Sequence, residues 1–122
     1  MNQGIVHGLE AITQVTFLMH DRENVIVDYV IDTGFAGALT LSSTMVAEIG
    51  LEFFNEIDAN LANGEEVRTA VHVARILLDG KELKVAVLSI GERPLLGTAL
   101  LEGRRICAEF IEGGKVTIES LD

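Results

Sequence analysis

Apolar residues in this chain recur mostly at every second position, the period of a half-buried β-strand. Residues 14–19 place Val15, Phe17 and Met19 on one face. After the polar turn Asp21-Arg22-Glu23-Asn24, Val25–Ile31 reads as a buried strand that runs directly into Asp32. Leu39–Leu41 resumes extended structure beyond a glycine-bearing loop. The one good helix candidate is Ser43–Ile49, with Ser42 or Ser43 able to cap its start and Gly50 able to end it. Residues 57–62 and 66–73 flank Asn63-Gly64, a pairing that predicts a two-residue type I′ hairpin. Val67, Thr69, Val71 and Val73 share one parity, whereas Ala74, Ile76 and Leu78 carry the opposite one. That slip predicts a bulge or a barrel corner within a long strand. Asp79-Gly80 predicts a second hairpin turn, and 85–90 a further strand. A short helical turn over 98–102 and closing strands over 105–111 and 115–119 complete the pattern. Short, regularly spaced strands with turn signals specify an all-β barrel or sandwich carrying one or two short helices.

The chain has 122 residues, the size of one domain spanning 1–122, with no repeat, linker or low-complexity tract. Apolar residues make up 48% of it, and the mean hydropathy is +0.35. A soluble domain of this size has little core in which to hide so much apolar surface, so a subunit interface is expected. Charges interrupt every apolar run, so no membrane partner is expected, and residues 1–10 lack the pattern of a signal peptide. Nineteen acids against nine bases give a net charge of −10. Such a surface repels phosphate backbones and anionic lipid, so no nucleic-acid partner is expected either. The single cysteine, Cys107, cannot build an internal disulfide and reads as a buried, inert thiol, which fits a reducing cytoplasm.

One tripeptide carries chemistry. Asp32-Thr33-Gly34 ends an apolar strand and is followed by Phe35-Ala36-Gly37. A buried strand has reason to stop at a carboxylate when that group is wanted at a loop tip, because an unpaired buried charge is costly. The glycines free the backbone to turn tightly and to bring amides near the carboxylate, and the Thr33 hydroxyl can lock the loop. By chance such a tripeptide arises in roughly a few per cent of chains this long. Alone, then, it is an ordinary turn. Its companion is Pro94-Leu95-Leu96-Gly97, about sixty residues on.

Together these segments resemble the retropepsin-like aspartic peptidases, in which an Asp-Thr-Gly loop is followed by a flap hairpin, then a hydrophobic-hydrophobic-Gly segment and a short helix. The similarity runs through nearly the whole chain and is strongest to small bacterial single-domain members, through Asp32-Thr33-Gly34-Phe35-Ala36-Gly37, Leu39-Thr40-Leu41 and Gly113-Gly114-Lys115-Val116-Thr117-Ile118-Glu119. The resemblance implies a closed β-barrel that is half of an acid protease, paired as a homodimer. It further implies Asp32 as the catalytic carboxylate, with Thr33 and Gly34 in the active-site loop. Ala62, Asn63 and Gly64 would form the substrate-binding flap, and Leu95, Leu96 and Gly97 would support the loop from behind. The implied activity is hydrolysis of a peptide or protein substrate by a water held between two Asp32 carboxylates, one per subunit, without a cofactor. The sequence departs from the family at Ala36, where other members carry an acid or a hydroxyl. It departs again at Thr98 and Ala99, where an Arg or an Asp is common. Those departures keep open a second reading, a peptide-binding or dimerisation module that cleaves little or nothing.

Other groups add no chemistry. His7, His20 and His72 lack metal-ligand spacing, so no metal site is expected. Ser42-Ser43 reads as a helix cap.

Overall fold

The computed structural model describes residues 1–61 and 63–122. In chain order its elements are β1 (Asn2–His7), β2 (Glu10–Phe17), β3 (Val25–Ile31), β4 (Leu39–Leu41), α1 (Ser43–Ile49), β5 (Glu52–Asn60) and β6 (Glu66–Leu78). They continue through β7 (Lys81–Ser89), β8 (Leu95–Leu96), α2 (Thr98–Leu101), β9 (Arg104–Ala108) and β10 (Lys115–Ser120). The strands form one sheet in the order β5-β6-β7-β4-β8-β3-β2-β1-β10-β9. An added pairing of β2 with β6, at Thr16 with Leu77 and Phe17 with Ile76, turns six of these strands into a ring. Most pairs are antiparallel, but β3–β8 and β4–β7 are parallel. Parallel neighbours need long crossovers, so residues distant in sequence meet at the end of β3.

Every strand of the ring contributes to the main core, which gathers Phe17, Tyr29, Leu41, Ile76, Val87 and Leu96 among others. Each of those six is essentially inaccessible, and burying such a side chain stabilises the fold by about 1.5–3 kcal/mol. The alternation in β2, with Ala11, Thr13, Val15 and Phe17 buried, is the two-residue period that drives this packing. α1 closes over the ring with Val46 and Ile49 inward. Ser42 caps it by accepting the Met45 amide, and Gly50 ends it at φ +80°, a conformation that glycine adopts without strain. A smaller cluster of Val6, Ala11 and Val116, with Ile31 and Ala108 against it, lies under β1 and β10.

Several expectations are corrected. β1 was not foreseen, and β2 starts at Glu10 instead of residue 14 because it pairs with β1 across a Gly8-Leu9 turn. β9 stops at Ala108 and not at 111, since residues beyond it curl so that the Ile111 amide donates to the Glu109 carbonyl. The bulge is on β5, not β6: Phe54 is the extra residue between the pairs Phe53–His72 and Asn55–Val71. β6 nonetheless changes its buried parity as expected, from Thr69 and Val71 to Ala74, Ile76 and Leu78. The hairpin at Asn63-Gly64 is longer than a two-residue turn, because the Leu61 amide donates to Glu65 and the Gly64 amide to Leu61. Gly64 supplies a φ of +86°, and the Asn63 side chain accepts the Glu65 amide. Asp79-Gly80 does form the tight turn, with φ +54° and +71°. Cys107 is exposed, not buried, because it falls on the outward parity of β9 at the edge of the sheet.

Candidate active site

β3 ends at Ile31, and Asp32 is the next residue, half-buried at the mouth of the ring. Its amide donates to the Leu96 carbonyl at 2.9 Å, so the β3–β8 pairing carries one step past the strand. Its Oδ1 accepts the Gly34 amide at 2.9 Å, and its carbonyl accepts the Phe35 amide at 3.1 Å. A β-carbon on Gly34 would stand 3.2 Å from Asp32 Oδ1, so glycine gives the carboxylate this close approach without crowding. Thr33 and Gly34 are exposed at the loop tip.

The Leu95-Leu96-Gly97 segment packs against the same loop. Val30 and Ile31 pair with Leu95 and Leu96. The Gly97, Thr98 and Ala99 amides donate to Ala38, Phe35 and Gly37. At Gly97 a β-carbon would meet the Gly37 and Phe35 carbonyl oxygens at 2.3 and 2.5 Å. Thr98, where the resemblance leads one to look for an arginine, adds a bond from its hydroxyl to the Phe35 carbonyl at 3.3 Å. Main-chain bonds on both sides therefore lock the loop. Buried Thr40 clamps the approach to this segment, donating to the Arg93 carbonyl and accepting the Leu95 amide at 2.9 Å.

Two cavities meet at Asp32. One, of about 620 Å³, lies between the Leu9-Glu10 turn, Val30, Leu95 and Phe110. The other, of about 660 Å³, lies between Phe35, Leu88 and the hairpin residues Asn60 and Leu61. Asp32, Arg93 and Leu95 line both. Arg93 forms an ion pair with Glu10 at their common rim. That hydrogen bond holds the Glu10 carboxyl below the usual carboxylate range and raises the Arg93 guanidinium above its own. Asn63 and Gly64 are exposed at the tip of the β5–β6 hairpin and line neither cavity, while Ala62 lies outside the described residues. Sequence reasoning missed Glu10 and Arg93, whose pairing spans 83 residues and leaves no local signature.

No protein-family model matches the sequence, and no curated protein does so significantly. Solved structures do match. A retropepsin-like aspartic protease from Rickettsia conorii superposes with a TM-score of 0.61 at 19% identity, over 93% of this chain and 87% of that one. EIAV protease, complexed with the inhibitor HBY-793, superposes with a TM-score of 0.60 at 18% identity, over 76% of this chain and 86% of its own. No helix among the described residues is long and apolar enough to cross a membrane. With its β-rich sheet, its Asp32 loop and these two superpositions, the chain has the retropepsin-like fold.

Proposed function

We propose that the whole chain, 1–122, is one domain and one half of an aspartic endopeptidase. The observation that carries this reading is the position of the Asp32 carboxylate, fixed by the Gly34 amide where two large cavities meet. A peptide bond lying over Asp32 has room for a side chain in each cavity. The chemistry needs two carboxylates around one water, and the chain has a single Asp-Thr-Gly. A second subunit, related by a two-fold axis, supplies the other Asp32. One ionised carboxylate takes a proton from the water as its oxygen attacks the carbonyl carbon; the other, protonated, donates to the carbonyl oxygen. The tetrahedral intermediate collapses when a proton passes to the leaving amine and the C–N bond breaks. Thr33 and Gly34 shape the loop, while Leu95, Leu96 and Gly97 hold it. The flap, with Ala62, Asn63 and Gly64 at its tip, covers an extended substrate by adding main-chain hydrogen bonds to it. No cofactor enters this scheme. The free thiol of Cys107 fits a reducing cytoplasm.

A second reading, a module that binds peptides without cleaving them, draws on one observation. The Asp32 carboxylate accepts the Gly34 backbone amide, and Ala36 has no hydroxyl to add another hydrogen bond. An assay on an unbiased peptide library, with wild type and Asp32→Asn, separates the two. Cleavage that disappears in Asp32→Asn supports the peptidase. Binding without cleavage by wild type supports the module.

A further inference from the structure

β5 lies at the end of the sheet and, among the described residues, pairs with β6 alone, so its outer edge carries free main-chain donors and acceptors. All of its residues but Ala59 are exposed. Register fixes which side chains share a face, because residues level across a ladder point the same way. Asn55, Ile57 and Ala59 stand level with Val71, Thr69 and Val67 of β6. Val71 and Val73 in turn stand level with Leu88 and Ala86 of β7. This face is apolar. The opposite one carries Phe53, Glu56, Asp58 and Asn60, level with His72, Ala70, Arg68 and Glu66. The bulge interrupts the alternation at Phe54 and turns its ring onto the apolar face. There Phe54 and Ile57, 67% and 37% exposed, line a groove of about 610 Å³ together with Val71, Val73, Ala86 and Leu88. Phe53 meets His72 edge-on, with ring centres 5.7 Å apart, whereas Phe54 belongs to neither core cluster.

Charge selects what fits this edge. On the polar face Asp58 pairs with Arg68. Glu56 and Glu66 form no ion pair among the described residues, and neither does Glu65 at the hairpin end. His72 points its Nδ1 at the Leu51 carbonyl, 3.2 Å away, and away from these acids. On the apolar face Glu52 and Lys84 line the groove together at the end remote from the hairpin turn, so the groove itself is balanced. A second copy of this chain, with its net charge of −10, would set acids against acids here. The same acids attract a basic strand. A strand continuing the sheet past β5 thus meets apolar side chains on one face and unpaired carboxylates on the other.

We propose that β5 is a docking edge for an extended segment of a basic partner protein. The segment adds as a further strand, with alternate apolar side chains in the Phe54–Ile57 groove and the intervening lysines or arginines against Glu56 and Glu66. The groove shares Leu88 with the cavities at Asp32 and no other described residue. The inference therefore stands apart from the reading of Asp32 as a catalyst.

The test is fluorescence anisotropy with a labelled peptide of alternating lysine and valine, matched to β5 in length. The full chain carries Asp32→Asn as parent, which keeps the probe intact. A second peptide has the same composition with its lysines and valines in separate blocks. Phe54→Ser and Glu56→Lys are compared with Glu23→Lys, which makes the same charge change in the exposed turn before β3. Far-UV circular dichroism verifies each fold, and Glu56→Lys carries the test if Phe54→Ser does not fold. The alternating peptide is expected to bind at least about tenfold more tightly than the blocked one. Phe54→Ser and Glu56→Lys should each weaken it by at least about tenfold, and Glu23→Lys by less than about threefold. Amide exchange in β5 should slow on binding. No binding of the alternating peptide overturns the proposal. Equal binding of the blocked peptide, or equal weakening by Glu23→Lys and Glu56→Lys, reports a general attraction of cations and overturns it as well. So does a folded Phe54→Ser that binds like the parent, or exchange that slows around Asp32 and not in β5.

Discussion

Gly97 faces the carbonyl of Gly37 so closely that a β-carbon at position 97 would stand 2.3 Å from its oxygen. The neighbouring obstacles, Phe35 Cδ2 and the Phe35 carbonyl oxygen, are both at 2.5 Å. A flexible side chain can move aside, but two carbonyls held in the Asp32 loop cannot do so without moving Asp32. Gly97→Ala is therefore expected to cost at least about 2 kcal/mol of stability. Urea unfolding measures it, and a variant as stable as wild type would show that the loop tolerates displacement.

Asp32→Asn keeps the shape of the loop but cannot act as the base. Because each proposed site draws one Asp32 from each subunit, mixing variant into wild type should poison activity as subunits exchange. With half of the subunits variant, random pairing leaves roughly a quarter of the sites with two aspartates. The rate on any cleaved peptide after re-equilibration provides the readout. Loss that merely follows dilution, with exchange independently demonstrated, would mean that each chain acts alone.

The Tyr29 hydroxyl is buried among apolar side chains and has no hydrogen-bond partner among the described residues. Burial also pushes its ionisation far above the usual range for a phenol. Leaving such a group unsatisfied costs free energy, so Tyr29→Phe should stabilise the fold by about 1 kcal/mol. A clear loss of stability in thermal or urea unfolding would reveal an unseen partner for the hydroxyl.

The Glu112 carboxyl is held below the usual carboxylate range, first by the Gly8 amide and then by His7. A lowered folded-state value means that its contribution is present above the ordinary carboxylate range and fades as pH falls through the lowered value. Protection of the Gly8 amide against hydrogen exchange, corrected for intrinsic rates, should accordingly drop in acid. In Glu112→Gln that drop should vanish. Protection that stays constant in wild type across the acid range would show that the turn is held by other bonds.

Much of this architecture is legible locally. The seven residues of Val25–Ile31 are apolar except Asp28 and Tyr29, and the strand appears with those bounds. Ser42 and Gly50 bracket α1 by cap chemistry that acts within a few residues. Asp79-Gly80 likewise dictates its turn through backbone preference alone. What escaped the sequence depends on distant partners. β1 contains Gly4, a poor strand former by itself, whose hydrogen atom lets the Ile12 carbonyl approach to where a β-carbon would sit. Cys107 has apolar neighbours, and nothing local tells which parity of an edge strand meets solvent. In the candidate site, Asp32 and the segment behind it were legible through their motifs. Glu10, Leu9 and Phe110 reach it only once the sheet has brought β2 and β9 alongside.

The parallel pairing of β3 with β8 has a kinetic consequence. The bonds that shape the Asp32 loop come from residues such as Thr98, which lies 63 positions beyond its partner Phe35. Contacts of such long sequence separation carry a large loop-closure entropy and form slowly. During synthesis the Asp32 loop therefore has no backing until β8 and α2 have left the ribosome. A growing chain cannot assemble the carboxylate's setting until its last third has been made.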